Sequence, residues 1–268
     1  ALVVLPADGD LVALGAALVP AGKSFGRSFN GGRLQVWSCG GLAEAFIPAN
    51  RAFEARTGSS IDYTGAFAGA LGKSLLANAT TEVFAPRVLS LAQKLHAQGK
   101  MLSFAPLCYT RYVLATPRGN PAGITDISDL GKKQVKTVII PDASPPGGKA
   151  SMGILKKAGV LEAAVKNAVT VGDCVQTAVT DLANGNAHAA VIEERVTRLP
   201  QFQGKLEYIG IPETFIPPDP VPFTIGVMKW AKNRDLAEAF VAYILSDEGQ
   251  AFFEKAGFIP AKSEEGER

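Results

Sequence analysis

The sequence has little net charge, few histidines and no long apolar run, and each shortage argues against a class of function. Lys and Arg number 27 against 25 Asp and Glu, so no basic surface indicates nucleic-acid binding. No stretch approaches the roughly 20 apolar residues that span a bilayer. His188 is predicted to be a structural residue of a buried strand, and His96 to be exposed on a helix. A histidine metal site is therefore not expected.

Cysteine is also scarce, and the spacing of its three copies leaves several interpretations open. Cys39, Cys108 and Cys174 are far apart and form no CxxC motif. They are buried packing residues, members of a disulfide, or ligands of a bound solute. With 268 residues the chain is long enough for two lobes. Residues 1–32 begin with an apolar stretch interrupted by two aspartates, and we expect them to form an extension outside the main fold.

What the sequence does contain is a regular alternation of strand-like and helix-like segments. This alternation predicts an α/β fold with mostly parallel sheets flanked by helices. Residues 109–116 are predicted as one strand, and residues 65–70 as a loop of small residues. In such sheets ligands bind beyond the carboxyl ends of the strands, where strands turn into helices. The predicted corners of this kind are residues 38–41, 65–70, 141–148, 172–174 and 193–195.

The corner after the first strand carries the most information. Residues 34–46, LQVWSCGGLAEAF, run from an apolar strand through Cys-Gly-Gly directly into a helix pattern. The N-terminus of a helix carries unpaired N–H donors and about half a positive charge. The corner is therefore a natural site for an anion, and Cys39 adds a thiol to it.

Taken in order, these segments resemble the periplasmic molybdate- and tungstate-binding proteins of ABC importers. The resemblance covers about residues 33–260 and depends on several segments together, since no single one decides it. Those segments are residues 36–46 (VWSCGGLAEAF), 82–86 (EVFAP), 112–121 (YVLATPRGNP), 127–130 (ISDL), 140–148 (IPDASPPGG), 182–192 (LANGNAHAAVI) and 246–258 (SDEGQAFFEKAGF).

The resemblance implies a two-lobed type II periplasmic-binding-protein fold. Each lobe would be a mixed, mostly parallel sheet flanked by helices, with a ligand cleft between the lobes. Residues 33–112 and 223–268 would form lobe 1, and residues 113–222 would form lobe 2. The protein would be periplasmic or extracytoplasmic, monomeric and without a cofactor. It would bind a small inorganic ion, partner the membrane subunits of an ABC importer or a membrane sensor, and catalyse no reaction.

The resemblance also assigns ligand positions, and several carry unexpected residues. The family's two hydroxyl sites fall at Gly41 and Ala68, its backbone sites at Gly147 and Val175, and its tyrosine at Glu193. Both hydroxyls and the tyrosine are thus missing from the assigned positions. The remaining candidate ligand residues neighbour these positions or reach toward them: Cys39, Gly40, Phe67, Arg111, Gly148, Cys174 and Arg195.

A tetrahedral oxyanion remains the favoured ligand. Arg111 and Arg195 could bind it through their guanidinium groups, provided that the Glu193 carboxylate turns away or pairs with an arginine. Otherwise Arg111 is a surface strand residue, and Arg195 an exposed residue paired with Glu194.

Two alternatives use the thiols. Cys39, Cys108 and Cys174, together with Glu193, could line a site for a soft metal or a metalloid such as arsenite. Cys39 could instead be the nucleophile of an enzyme on the same fold, with Glu193 as its base.

Overall fold

The computed structural model describes most of the chain, and the described residues divide into two compact units. We call residues 27–109 with 222–261 the discontinuous unit, and residues 110–216 the continuous unit. Most of the predicted extension at residues 1–32 lies outside the described residues, and the predicted lobe boundaries stay predictions at the level of single residues. The described ranges are residues 27–66, 68–87, 89–141, 147–172, 175–216 and 222–261.

Strands and helices alternate along both units, as the sequence pattern predicts. The described strands are β1 (Arg33–Cys39), β2 (Ser60–Ala66), β3 (Val83–Ala85), β4 (Met101–Tyr109), β5 (Tyr112–Pro117), β6 (Thr137–Ile139), β7 (Ala168–Val171), β8 (Ala189–Glu193), β9 (Leu206–Gly210), β10 (Phe223–Met228) and β11 (Ile259–Pro260). The described α-helices are α1 (Ala43–Thr57), α2 (Ala68–Leu76), α3 (Leu89–Ala97), α4 (Gly148–Lys157), α5 (Leu161–Lys166), α6 (Val175–Ala183), α7 (Glu194–Thr197), α8 (Arg234–Ile244) and α9 (Asp247–Lys255). Short 3₁₀ helices cover Gly40–Leu42, Ile127–Gly131 and Glu213–Phe215.

Each unit is built on one mixed sheet, so the predicted α/β fold with mixed sheets is confirmed. The discontinuous unit has the strand order β11-β4-β10-β3-β1-β2, and the continuous unit has β7-β6-β8-β5-β9. Among the described strands, β1 pairs in parallel with β2 and β3, and β6 with β7 and β8, while the other five pairings are antiparallel. The prediction of mostly parallel sheets is therefore wrong, because returning strands such as β5 and β10 insert antiparallel to their neighbours.

Two local predictions also differ from the structure. The single strand predicted for residues 109–116 is in fact two strands, β4 and β5, which belong to different sheets. Pro106 lies inside β4 and obscured it in the sequence, since proline is confined to edges and bulges of sheets. Here it faces Thr224 beside an irregularity in the β4–β10 register. The loop predicted for residues 65–70 is shorter than expected, because β2 continues to Ala66 and α2 begins at Ala68.

Helix α1 fixes the position of the first corner. It ends at Thr57. Gly58 adopts the left-handed conformation with φ of 70°, and its N–H donates to the Glu54 carbonyl. Its buried face carries Phe46 and Phe53, whose rings pack against Phe253 and Phe240, both at 5.3 Å between centroids. Burial of these aromatic rings anchors α1 against α8 and α9. No helix among the described residues has the length and apolarity that membrane crossing requires.

A buried carboxylate ties two distant parts of the discontinuous unit together. Glu82 is 8% exposed. Its Oε2 accepts the backbone N–H of Gln35 in β1, and its Oε1 accepts the backbone N–H of Lys232 after β10, both at 2.8 Å. The side chain thereby holds the start of β3 against β1 and against the segment that leads into α8.

The substitution Glu82→Gln should lower the free energy of unfolding by about 1–3 kcal/mol. A carboxamide accepts through one oxygen only, so one of the two backbone N–H groups would face an NH₂ group instead of an acceptor. Urea denaturation of the wild type and the variant measures the loss. The matched control is Glu207→Gln at an exposed position of β9. Its free energy of unfolding should stay within about 0.5 kcal/mol of the wild-type value. Equal losses in the two variants would contradict the role of Glu82.

Candidate functional site

The first two predicted corners lie side by side in the discontinuous unit. Strand β1 pairs with β2 so that Cys39 lies opposite Ala66. The 3₁₀ helix at Gly40–Leu42 then leads directly into α1. Gly40 is exposed, and a Cβ built on it would lie 3.5 Å from the backbone nitrogen of Ala66. The carboxyl ends of the two parallel strands thus form one edge, which Gly40 and the half-buried Gly41 border.

The thiols predicted as ligands lie deeper than these glycines. Cys39 is 8% exposed and Cys108 is fully buried, and both belong to the hydrophobic core of the discontinuous unit. Cys174 and Phe67 lie outside the described residues. Within the part of the chain that the structure describes, no three His, Cys, Asp or Glu side chains come close enough to hold a metal ion. The thiol-lined site with Glu193 stays a prediction, and packing of Cys39 behind the glycines is what its burial favours.

At this edge lies a pair of hydroxyls that the sequence did not reveal. The Ser38 hydroxyl donates to the Cys39 carbonyl at 2.9 Å and lies 2.7 Å from the Tyr63 hydroxyl. Because the Ser38 proton is used in the first bond, Tyr63 is the donor in the second. Burial, and to a lesser degree the charges of Cys39 and Glu44, raise the pKa of Tyr63 to about 12. Two neutral hydroxyls therefore join β1 to β2, and the Tyr63 oxygen lies 3.1 Å from the position that a Cβ of Gly65 would occupy.

The corner after β6 organises the continuous unit. Helix α4 begins at Gly148 with Gly147 as its N-cap, and both glycines are buried. A Cβ built on Gly147 would lie 3.8 Å from the Tyr112 hydroxyl and 3.9 Å from the Glu193 Cγ. The helix N-terminus, a phenol and a carboxylate therefore meet at one edge. Residues 142–146 of this predicted corner are outside the described residues.

Glu193 and Arg195 form a buried ion pair. The Arg195 Nε donates to the Glu193 Oε2 at 2.6 Å, with side-chain exposures of 10% and 4%. The Tyr112 hydroxyl donates to the Glu193 Oε1 at 3.4 Å. The condition for oxyanion binding, that Glu193 pair with an arginine, is therefore met. The alternative prediction, an exposed Arg195 paired with Glu194, is wrong, because α7 turns the guanidinium back toward the end of β8.

Glu194 has its own arginine partners. Its carboxylate accepts Arg198 Nη2 at 2.6 Å and the Tyr208 hydroxyl at 3.1 Å, and Arg111 Nη1 lies 3.5 Å away. The Arg111 side chain is 49% exposed. Arg111 thus joins the Glu194 cluster, and its role as an anion ligand stays a prediction.

The remaining predicted residues have mainly structural surroundings. Val175 is half-buried and begins α6. His188 is half-buried, and its Nδ1 accepts the backbone N–H of Lys136 at 3.0 Å. His96 is half-buried rather than exposed, because its Nδ1 lies 2.9 Å from the Met101 carbonyl and its ring packs on Phe104.

The two sheets, with glycine corners after β1 and β6, define the fold of solute-binding proteins. One similar solved structure, from Clostridium difficile, is named as the substrate-binding domain of a molybdenum ABC transporter. It matches with a TM-score of 0.74 and 19% identity, covering 85% of this chain and 98% of that chain. The periplasmic molybdate-binding protein of Azotobacter vinelandii matches with a TM-score of 0.66 and 18% identity, covering 84% of this chain and 98% of that chain.

The chain belongs to the bacterial extracellular solute-binding protein family, whose model matches residues 34–259. Its Bacillus subtilis relative YvgL, named as an ABC transporter substrate-binding lipoprotein, is 25% identical over 192 residues, which cover 71% of this chain and 72% of the relative. The chain is thus a solute-binding protein, and the alternative of an enzyme with Cys39 as nucleophile is wrong.

Other similar proteins are named for different ligands. The sulfate-binding protein of Synechococcus elongatus is 27% identical over 164 residues, covering 56% of this chain and 47% of the relative. Iron-bound HitA of Pseudomonas aeruginosa matches with a TM-score of 0.65, 17% identity and coverage of 87% of each chain. Family membership therefore defines the class of protein and leaves the ligand open.

Burial predicts that the thiols of Cys39 and Cys108 react slowly in the folded protein. In a Cys174→Ser background, iodoacetamide should label both at least tenfold more slowly in buffer than in urea, with mass spectrometry of peptides as the readout. The exposed position Ser128, changed by Ser128→Cys, provides the rapidly labelled control. Labelling of Cys39 as fast as this control would contradict its placement behind the glycines.

Because its pKa is about 12 rather than 10, Tyr63 should make folding sensitive to alkali. Between these values the unfolded chain loses the phenolic proton and the native chain keeps it. The free energy of unfolding should therefore fall as pH rises through this window. Urea denaturation at several pH values should show a smaller fall for Tyr63→Phe than for wild type, and equal falls would contradict the burial of the phenol.

Proposed function

We propose that this protein captures a small tetrahedral oxyanion, of the type of molybdate and tungstate, for an ABC importer. The observation that carries the proposal is the ion pair of Glu193 with Arg195 beside the N-terminus of α4. A carboxylate at this position would by itself repel an anion. Its arginine partner offsets that charge and leaves the helix N-terminus attractive to negative ligands.

The donors near the two edges also suit an oxyanion. The first N–H groups of a helix have no partner within the helix, and they point toward the space in front of it. Small residues at Gly40, Gly41 and Gly147 allow a ligand to approach the backbone closely. Tyr112 adds a neutral hydroxyl. Neutral donors can bind a dianion without a full counter-charge.

The names of similar proteins support the same class. Molybdate and sulfate, named for two of them, are both tetrahedral oxyanions. The names of the Bacillus subtilis relative and of the Clostridium difficile structure refer to ABC transporters. We propose accordingly that the protein acts outside the cytoplasm as a monomer. It would deliver its ligand to the membrane subunits of an importer, or present it to a membrane sensor.

A thermal-shift series tests the ligand class directly. Molybdate, tungstate, sulfate, arsenate, arsenite and zinc should be compared at equal concentrations, and calorimetric titration should follow for those that stabilise. A ligand present at 100 times its Kd adds about 2.7 kcal/mol to the free energy of unfolding. Stabilisation by arsenite or zinc but by no oxyanion would overturn the proposal in favour of a thiol-lined site.

A negative charge in the first corner should weaken oxyanion binding. The substitution Gly40→Asp places a carboxylate at an exposed position whose Cβ makes only ordinary contacts, the nearest at 3.5 Å. Because like charges in contact cost several kcal/mol, the Kd should rise about tenfold or more. Gly210→Asp at the end of β9, where an added Cβ has open space, is the matched control. Equal Kd values for both variants would show that the first corner does not face the ligand.

A further inference from the structure

Pairing of strands brings an unassigned hydroxyl to the end of β8. In the antiparallel β5–β8 pair, Tyr112 lies directly opposite Glu193. Opposite side chains in such a pair share one face of the sheet. The Tyr112 hydroxyl accordingly reaches the Glu193 Oε1, at 3.4 Å. Tyr112, which lies outside the predicted corners, thus places its phenol beside residue 193, where the resemblance predicts a tyrosine.

The same hydroxyl lies beside the N-terminus of α4. Its oxygen is 3.8 Å from the position that a Cβ of Gly147 would occupy. Any side chain at residue 147 would fill the space in front of the phenol and of the first amides of the helix. With glycine at the N-cap, a ligand oxygen could approach both kinds of donor at once.

The hydrogen bonds that Tyr112 and Arg195 donate to Glu193 differ in length. Hydroxyl donors normally lie 2.7–2.8 Å from their acceptors, so the contact of 3.4 Å to Glu193 is weak. The bond from Arg195 to Glu193, at 2.6 Å, is short and charge-assisted. If Tyr112 donates to a ligand oxygen instead, Glu193 keeps its strong partner.

We propose that Tyr112 is the ligand hydroxyl of the continuous unit, in place of the tyrosine missing at position 193. Glu193, held by Arg195, is the positioning residue that directs the phenol toward the α4 N-terminus. The ligand class is an anion that offers acceptor oxygens, and the inference rests on the proposed function. It goes beyond that function by assigning a specific donor that lies outside the predicted corners.

Calorimetric titration of molybdate, tungstate and sulfate into wild type and Tyr112→Phe tests the assignment. Loss of a hydrogen bond to a charged ligand should raise the Kd about tenfold to hundredfold. Tyr208→Phe is the matched control, because its hydroxyl donates at 3.1 Å to Glu194 in the same unit. The control should stay within about twofold of wild type. The Tm of both variants shows whether either substitution acts through stability instead.

Each outcome separates the two proposals. If wild type binds none of the three oxyanions, the proposed function fails, and this assignment fails with it. If wild type binds but Tyr112→Phe binds equally well, or Tyr208→Phe is weakened as much, only the assignment of Tyr112 fails. Gly147→Val replaces the test if Tyr112→Phe does not fold. Filling the space before the phenol should raise the Kd at least tenfold, and an unchanged Kd overturns the assignment.

Discussion

The continuous unit depends on placing two consecutive carboxylates inside the protein at the end of one strand. Glu193 and Glu194 are both buried, and a guanidinium and a tyrosine hydroxyl contact each carboxylate. Transfer of a charged group from water into the protein interior costs several kcal/mol, and a well-placed partner of opposite charge offsets this cost. The turn from β8 into α7 supplies both partners within five residues. The charge of Glu193 beside the α4 N-terminus is thereby balanced by a neighbouring guanidinium, which the proposed binding of an anion there requires.

Much of the fold could be predicted because it depends on short-range signals. The strand-to-helix corners, the end of α1 at Gly58 and the apolar faces of the helices all follow from residue spacing along the chain. Strand β4 was missed because its Pro106 resembles a break, and only the irregular pairing with β10 shows how the sheet tolerates it. The extent of antiparallel pairing could not be predicted either, since it depends on which distant strands meet.

The candidate site was less predictable for the same reason. The glycines at residues 40, 41, 147 and 148 were identified because corners can be recognised in a sequence. The pairing of Arg195 with Glu193 rather than Glu194 depends on the backbone direction at the β8–α7 junction. The hydroxyls of Tyr63 and Tyr112 depend on strand register. Residues at the assigned positions alone do not include Tyr63 and Tyr112, whose strands β2 and β5 pair with β1 and β8.

The strand order of the discontinuous unit has a consequence for the order in which the protein takes shape during synthesis. Strand β10 lies between β3 and β4 in the sheet, yet it follows them by more than a hundred residues. While the ribosome is still making residues 110–216, β10 has not been synthesised. Strands β3 and β4 therefore cannot yet be joined through it. The continuous unit has its whole sequence available earlier and can fold first. The discontinuous unit is therefore the last to be completed.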